Sequence, residues 1–221
     1  VCGGGTFAYL PGSEEAIRKV ERILREHHWE VCTYTGAGGT EESFLAMNAH
    51  SPRILQLYTH GFYYTPDKAS NIDYLKGFTD AMQLSGIVLS GGNAAWTGKE
   101  LPEGVRGGIL TAGTIAGMDL NGTELAVLSA CQTGLGKATP EGLYGLQRAF
   151  KKAGVGTVVM SLWEISNNVS QEFMTTFYER LMAQPNGWDK LKAFRETKAI
   201  IRSRHPEPYY WAAFVMLDGS F

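Results

Sequence analysis

The sequence predicts an α/β fold with a mostly parallel central sheet and helices on both of its faces. Short apolar runs typical of strands alternate with helical patterns along the whole chain, as in successive βαβ units. Two of the runs, LAVLSA and TVVMS, are apolar almost throughout, which is typical of strands buried on both faces. No repeat or linker interrupts the 221 residues, so we expect residues 1–221 to form a single domain. Because the chain begins at Val1 rather than methionine, we expect that domain to be part of a longer protein.

The first half of the chain is predicted to contain short strands, helices and two loops. The clearest helix begins at Ser13, a residue type that caps helix amino termini, and continues to about His27 with apolar residues at helical spacing. Glu14 and Glu15 lie in its first turn, where the helix dipole favours negative charge. The remaining segments are strands at 6–9, 29–34, 53–59, 86–90 and 108–111, helices at 41–48 and 111–117, and loops at 62–85 and 91–108.

The second half is predicted to alternate strands and longer helices. The strand that carries LAVLSA is followed by a helix from Pro140 to about Ala153. Thr139 is the expected N-cap of that helix, and Pro140 occupies its first position, where a missing N–H costs nothing. The remaining segments are a strand at 156–162, helices at 168–182 and 188–204, and a last strand at 212–217.

Composition and charge exclude several classes of function. The chain has 20 basic and 22 acidic residues, for a formal charge of −2, so we expect neither nucleic acid nor an anionic membrane as a direct partner. No apolar run approaches the roughly 20 residues that span a bilayer. The three cysteines, Cys2, Cys32 and Cys131, are too few and too scattered for a disulfide framework and favour a reducing, cytoplasmic location. Neither CxxC nor HExxH occurs, and we expect no metal and no cofactor.

Two reactive residue types follow predicted strands at the point where each strand ends. His60 comes after RILQLYT, and Cys131 comes after ELAVLSA. In an open parallel sheet, ligands bind at the carboxyl ends of the strands, and neighbouring strands would bring these two residues together. A thiol beside an imidazole makes a cysteine nucleophile, because the thiolate attacks while the histidine moves the proton.

The residue after the histidine fits the same chemistry. Gly61 has no Cβ, so its N–H can approach a substrate carbonyl closely, and with the N–H of Cys131 it could form an oxyanion hole. The alternative is that histidine and cysteine are both ordinary core residues, and the pattern alone leaves that alternative open. Cys32, inside WEVCTY, is interpreted as a core residue, and Cys2 receives no assignment.

Several strings of the sequence resemble the CHAT domain, a caspase-like domain often found beside tetratricopeptide repeats in prokaryotic proteins. The resemblance runs over nearly the whole chain in a consistent order. The strings are LPG (10–12), LYTHGF (57–62), GILTA (108–112), ELAVLSACQTGLG (124–136), EGLYGLQRAFKKAG (141–154), VVMSLWEI (158–165) and YYWAAFVMLDG (209–219).

The resemblance implies a caspase-like αβα sandwich and peptide-bond hydrolysis through a thioester acyl-enzyme, as in caspases, separases and gingipains. Matched by motif, His60 of THG is the general base and acid, and Cys131 of SAC is the nucleophile. Gly61 and Cys131 would supply the oxyanion-hole amides. The family requires no third acidic residue, and none is assigned.

Substrate specificity is less well defined by the sequence. Caspases hold a P1 aspartate with two arginines and with a glutamine, and the glutamine stands two residues before the catalytic cysteine. Here Ser129 takes the glutamine's place, and LPGSEE (10–15) supplies no arginine, which disfavours aspartate. Separases carry several acidic residues in the stretch matching 163–171, where only Glu164 is acidic, so a basic P1 residue is weakly supported. Ser129, Trp163 and Glu164 are the candidate substrate-binding residues, and an apolar or uncharged P1 residue remains open.

The resemblance also implies partners and leaves rival functions open. Family members include proteases that cut gasdermin-like pore formers and others that act in RNA-guided complexes, so we expect a protein substrate, regulatory or repeat domains in the same chain or complex, and a role in prokaryotic antiviral defence or cell death. One rival is a scaffold that keeps the caspase-like fold without turnover. The other is a different thiol-dependent acyl hydrolase, such as an amidase.

Overall fold

The structure is a computed structural model that describes residues 5–101, 106–129, 140–163, 165–184 and 188–219, with residues 140–144 described by their backbone alone. The strands are β1 Ile54–Tyr58, β2 His60–Tyr63, β3 Ser85–Val88, β4 Ile109–Thr111, β5 Leu125–Ser129, β6 Thr157–Ser161 and β7 Phe214–Asp218. The helices are α1 Ser13–Glu26, α2 Glu41–Leu45, α3 Pro66–Ala69, α4 Gly92–Trp96, α5 Ala112–Ala116, α6 Pro140–Lys152, α7 Asn167–Met182, α8 Lys190–Arg204 and α9 Pro208–Trp211. No helix within these ranges is long and apolar enough to cross a membrane.

The central sheet has four strands in the order β1-β5-β6-β7. β1 pairs with β5 in parallel, from Ile54 opposite Leu125 to Tyr58 opposite Ser129. β5 pairs with β6 in parallel as well, and Leu128 lies opposite Met160. All five residues of β5 and all five of β6 are buried, as the apolar runs predict. The predicted α/β fold with a mostly parallel central sheet is therefore confirmed, and with its flanking helices it is compatible with a caspase-like sandwich.

A second sheet has three antiparallel strands in the order β2-β3-β4. His60 lies opposite Val88 where β2 pairs with β3, and Gly86 lies opposite Thr111 where β3 pairs with β4. A side chain at Gly86 would clash with the carbonyl oxygen of Leu110 and with the Phe62 ring. Glycine at this position therefore allows three short strands to pack closely.

The described residues group into two compact units. The first contains the described parts of Val1–Tyr9, Tyr34–Trp163 and Leu217–Phe221, and the second those of Leu10–Thr33 and Glu164–Met216. In the second unit, helices α7 and α8 enclose a group of aromatic rings. Phe173 stacks on Phe214 with ring centroids 3.6 Å apart and meets Phe194 edge-on at 5.8 Å.

In the first unit, a buried lysine joins helix α6 to the last strand. The Nζ atom of Lys151 donates hydrogen bonds to the carbonyls of Val155 at 2.9 Å, Gly156 at 2.5 Å and Gly219. A buried ammonium group is tolerated only where acceptors replace its water. These carbonyls fix the end of β7 beside the start of β6.

The structure corrects two predicted strands and one predicted core residue. Residues 6–9 and 29–34 are described, but neither segment is a strand. In the segment Thr6–Tyr9, the main chain of Phe7 forms hydrogen bonds with the side chain of Asn93 instead of with a neighbouring strand. Cys32 is exposed rather than part of the core, because the alternation of WEVCTY does not lie on a sheet. Cys2 and Thr139 lie outside the described residues.

The two predicted loops also contain regular structure. Residues 62–85 include the end of β2, helix α3 and the first residue of β3, and residues 91–108 include helix α4. Both segments contribute to a buried cluster that contains Trp96, which is 2% exposed, together with Phe62, Tyr64, Ile72 and Leu75. Burial of apolar side chains orders these segments. Their sequences have no helical or strand periodicity from which this order could be predicted.

We predict that Gly108→Ala destabilises the protein more than Gly77→Ala does. Both glycines have positive φ, +65° at Gly108 and +90° at Gly77, and for alanine that conformation alone costs about 1–2 kcal/mol. A Cβ at Gly108 would also clash with the carbonyl oxygen of Ser90 and lie 2.7 Å from the nitrogen of Gly92, whereas one at Gly77 meets nothing within 4 Å.

Thermal unfolding of the two variants measures the difference. Gly77→Ala isolates the backbone strain, and the additional loss in Gly108→Ala reports the close approach of Gly108 to Ser90 and Gly92. Equal melting temperatures would contradict the packing described for this turn.

Candidate functional site

His60 lies where the chain passes from one sheet to the other. β1 ends at Tyr58, Thr59 follows, and His60 is already the first residue of β2. The Thr59 hydroxyl donates a hydrogen bond to the carbonyl of Val88, which is the residue opposite His60 in the antiparallel pair. His60 is thereby held just beyond the carboxyl end of β1, as the sequence predicts, and it is itself the first residue of a strand.

The imidazole ring of His60 is bound by the main chain of an amino-terminal segment. Its Nε2 lies 2.6 Å from the carbonyl oxygen of Ala8, and the Phe7 ring packs against it with centroids 5.4 Å apart. A carbonyl oxygen only accepts hydrogen bonds, so Nε2 must carry the proton. Neutral His60 therefore has its lone pair on Nδ1, and Nδ1 is the nitrogen that can take a proton from a nucleophile.

No sequence pattern indicates Ala8 as a member of this site. The group that contacts the histidine is a main-chain carbonyl, which every residue has, so residue type carries no signal for it. The Ala8 carbonyl is placed to orient the ring, and the expectation that no third acidic residue is required stays a prediction.

Ser129 is the last residue of β5 and lies opposite Tyr58. Its side chain is 5% exposed, and its Oγ has no hydrogen-bond partner among the described residues. A buried hydroxyl left without a partner costs about 1–3 kcal/mol, so such groups in native proteins call for an explanation. One explanation is a polar atom that arrives with a ligand.

The remaining predicted site residues are distributed as follows. Gly61 is buried in β2 beside His60 and lies opposite Ile87. Trp163 is half-buried and follows β6 by two residues. Cys131 and Glu164 lie outside the described residues, so the roles predicted for them remain predictions.

Three strand ends define the edge at which this site lies. Tyr58 of β1 and Ser129 of β5 are directly paired, and β6 continues the parallel sheet on the other side of β5. His60, Ser129 and Trp163 thus come from adjacent strand ends at the carboxyl edge, where open α/β sheets bind ligands. Among the described residues, no group of three or more histidine, cysteine or acidic side chains could hold a metal ion.

Comparison with known proteins identifies the family to which the chain belongs. A family model described as the CHAT domain matches residues 3–220. Tetratricopeptide repeat protein 28 from Mus musculus is 32% identical over 113 residues, and its counterpart from Homo sapiens is 34% identical over 114 residues.

These two alignments cover 50% and 51% of this chain but only 4% of each relative. The chain therefore corresponds to a small part of proteins that are named for a different, repeated unit. The family match is much broader, because it covers almost every residue and all the strands described above. The resemblance carried by the sequence motifs is thereby confirmed, and the chain belongs to the CHAT domain family, a family of caspase-like cysteine peptidases.

Proposed function

We propose that this chain is a cysteine endopeptidase domain in which His60 is the general base and acid and Cys131 is the nucleophile. One observation carries the proposal: β1 and β5 are neighbouring parallel strands in which Tyr58 lies opposite Ser129. His60 follows Tyr58 by two residues, and Cys131 follows Ser129 by two residues. Neighbouring strands are about 4.8 Å apart, so equal offsets from a directly paired position favour a thiol within reach of the imidazole.

The bonding of His60 supports a definite proton route. Nε2–H is engaged by the carbonyl of Ala8, which leaves Nδ1 to accept the Sγ proton of Cys131. The thiolate attacks the substrate carbonyl carbon, and the resulting oxyanion accepts hydrogen bonds from the N–H groups of Gly61 and Cys131. The imidazolium then protonates the leaving amine as the C–N bond breaks, and a thioester remains.

The second half of the reaction reverses these roles. Water gives a proton to Nδ1 of His60 and attacks the thioester carbonyl carbon. Collapse of the tetrahedral intermediate expels the thiolate of Cys131, which recovers its proton from the imidazolium. The two halves together hydrolyse one peptide bond and regenerate the neutral dyad.

Ser129, Trp163 and Glu164 are proposed to bind the substrate side chain before the cleaved bond. The buried Oγ of Ser129 has no hydrogen-bond partner among the described residues, which supports a P1 residue that brings an uncharged polar atom. An apolar P1 residue that packs against Trp163 is also compatible with the proposal. Aspartate remains disfavoured, because a buried carboxylate needs cationic partners.

The wider context of the proposal rests on the family and the relatives. The names of the mammalian relatives support tetratricopeptide repeats as the regulatory neighbours in the same chain or complex. The substrate is proposed to be a specific protein, such as a gasdermin-like pore former or another effector. A cytoplasmic location and a role in prokaryotic antiviral defence remain predictions, and the mammalian relatives do not support the second.

We predict that a peptidyl electrophile labels Cys131 and that His60→Ala slows labelling at least about 100-fold, since general-base catalysis contributes 10²–10⁴. The intact protein is treated with a series of chloromethyl ketones that differ at P1, and adducts are located by mass spectrometry. His50→Ala is the matched control, because His50 is exposed and precedes β1 rather than following it.

The result discriminates among the three functions. If His60→Ala does not change the labelling rate, the proposed His60–Cys131 dyad is contradicted. If the intact protein is not labelled at all, the scaffold without turnover is favoured. Labelling by small acyl electrophiles but not by peptidyl ones favours an amidase.

We also predict that Ser129→Ala leaves the melting temperature unchanged or raises it, while changing the preference for the P1 residue. The substitution removes a hydroxyl that has no hydrogen-bond partner among the described residues, so no hydrogen bond between those residues is lost. Ser85→Ala is the control: its Oγ donates to the carbonyl of Ala81 at 2.8 Å, and its loss costs about 1 kcal/mol. A Ser129→Ala variant with unchanged relative kcat/KM for polar and apolar P1 residues would argue against a role in specificity.

A further inference from the structure

The side chain of Asn93 binds both polar groups of one main-chain residue near the amino terminus. Its Oδ1 accepts a hydrogen bond from the N–H of Phe7 at 2.7 Å, and its Nδ2 donates one to the carbonyl of Phe7 at 2.9 Å. Two bonds in opposite directions are what a paired residue in an antiparallel ladder exchanges with its neighbour. Here a carboxamide takes the place of the neighbouring strand.

The segment that Asn93 binds has few other anchors. Within the described part of the chain, residues 5–9 make no main-chain hydrogen bond with other main-chain groups. Thr6, Ala8 and Tyr9 are exposed. The segment is therefore held by the carboxamide of Asn93, by the contact of the Ala8 carbonyl with His60, and by one buried ring.

That ring is the side chain of Phe7, which is 7% exposed. It meets the ring of Trp96 at 4.9 Å and the ring of His60 at 5.4 Å. Trp96 follows Asn93 by three residues on helix α4, and residues at this spacing share one helix face. The same face of α4 therefore holds both the backbone and the side chain of Phe7.

Helix α4 is in turn fixed against the strand that pairs with His60. A Cβ at Gly92, the first residue of α4, would clash with the side chain of Val88 and lie 2.9 Å from the carbonyl oxygen of Gly108. Val88 lies opposite His60 in the β2–β3 pair. Helix α4 is thus packed against β3, the strand that pairs with His60. It also holds the amino-terminal segment whose Ala8 carbonyl accepts the hydrogen bond from Nε2 of His60.

We propose that Asn93 is a positioning residue that acts on His60 through Phe7 and Ala8. By fixing the main chain at Phe7, it places the carbonyl of Ala8 where it accepts a hydrogen bond from Nε2–H of His60, which turns Nδ1 toward the nucleophile. The inference rests on the proposed function for its catalytic consequence, although its structural part concerns the ring of His60 alone. Because Asn93 is itself exposed, its replacement leaves the apolar core intact.

The structural part is tested by NMR on the intact protein labelled with [¹⁵N]histidine, in a Cys131→Ala background. An Nε2–H group bonded to a carbonyl gives a downfield proton signal that exchanges slowly with water. The signal is assigned by its loss in His60→Ala. We expect Asn93→Ala to abolish it or accelerate its exchange at least about tenfold, because the acceptor carbonyl is no longer fixed.

A second variant and a matched control separate positioning from general destabilisation. Asn93→Asp keeps an acceptor for the N–H of Phe7 but sets a carboxylate oxygen against its carbonyl, so we expect the same loss of signal. Asn48→Ala removes a comparable bond, from the N–H of Asp119 to Oδ1 at 2.7 Å, at the opposite edge of the sheet. It should leave the His60 signal unchanged.

The catalytic part is tested by the rate at which a peptidyl electrophile labels Cys131 in the intact protein. We expect Asn93→Ala to slow labelling about 10- to 100-fold, as small misplacements of catalytic groups do, while the electrophile's affinity changes little. Asn48→Ala should leave the rate unchanged.

Each outcome decides one point. An unchanged Nε2–H signal in Asn93→Ala overturns the inference whether or not the protein is a protease, and an altered signal with an unchanged labelling rate overturns its catalytic part. If the parent protein is never labelled, or His60→Ala does not slow labelling, the protease proposal fails, while the NMR result still decides whether Asn93 positions the ring.

Discussion

The parallel pairing of β1 with β5 is the constraint on which the candidate site depends. It sets Tyr58 opposite Ser129 and so places the carboxyl ends of β1 and β5 side by side at one edge of the sheet. Side chains have a period of two along a strand, so a slip of one residue would turn the buried side chains of β5 to the other face. Because β5 is packed on both faces, such a slip would exchange the side chains that each face has to accommodate. Close packing therefore favours the observed register, which relates His60 to Ser129.

The second constraint is the ring orientation of His60, and it comes from a different part of the chain. The antiparallel pair of β2 and β3 fixes the backbone of His60, whereas the carbonyl of Ala8 and the ring of Phe7 fix its imidazole. A histidine with a free ring can rotate and change tautomer. One held at Nε2 presents Nδ1 in a constant direction, which is the preorganisation that proton transfer requires.

Sequence patterns predict those parts of the molecule in which the type and spacing of the side chains determine the local structure. β1, β5, β6 and the long helices follow from apolar runs and helical spacing, and the position of His60 beyond a strand end follows from the same patterns. The segment Thr6–Tyr9 was not predictable in this way, because its partner is the carboxamide of Asn93 rather than a strand. Ala8 acts through its main-chain carbonyl, a group that every residue has, so its residue type does not predict this role. Helix α4 was not predicted because it is fixed by packing around Trp96 with residues distant in sequence.

The most direct test of the account is a chemical measurement of proximity between His60 and Cys131. A short bifunctional alkylating agent, 1,3-dibromoacetone, is applied to the intact protein carrying Cys2→Ser and Cys32→Ser, and crosslinked peptides are identified by mass spectrometry. We predict that the peptide containing Cys131 is joined to the peptide containing His60, and that His60→Ala abolishes this product. Attachment of Cys131 to another histidine, or alkylation of Cys131 with no link to His60, would contradict it.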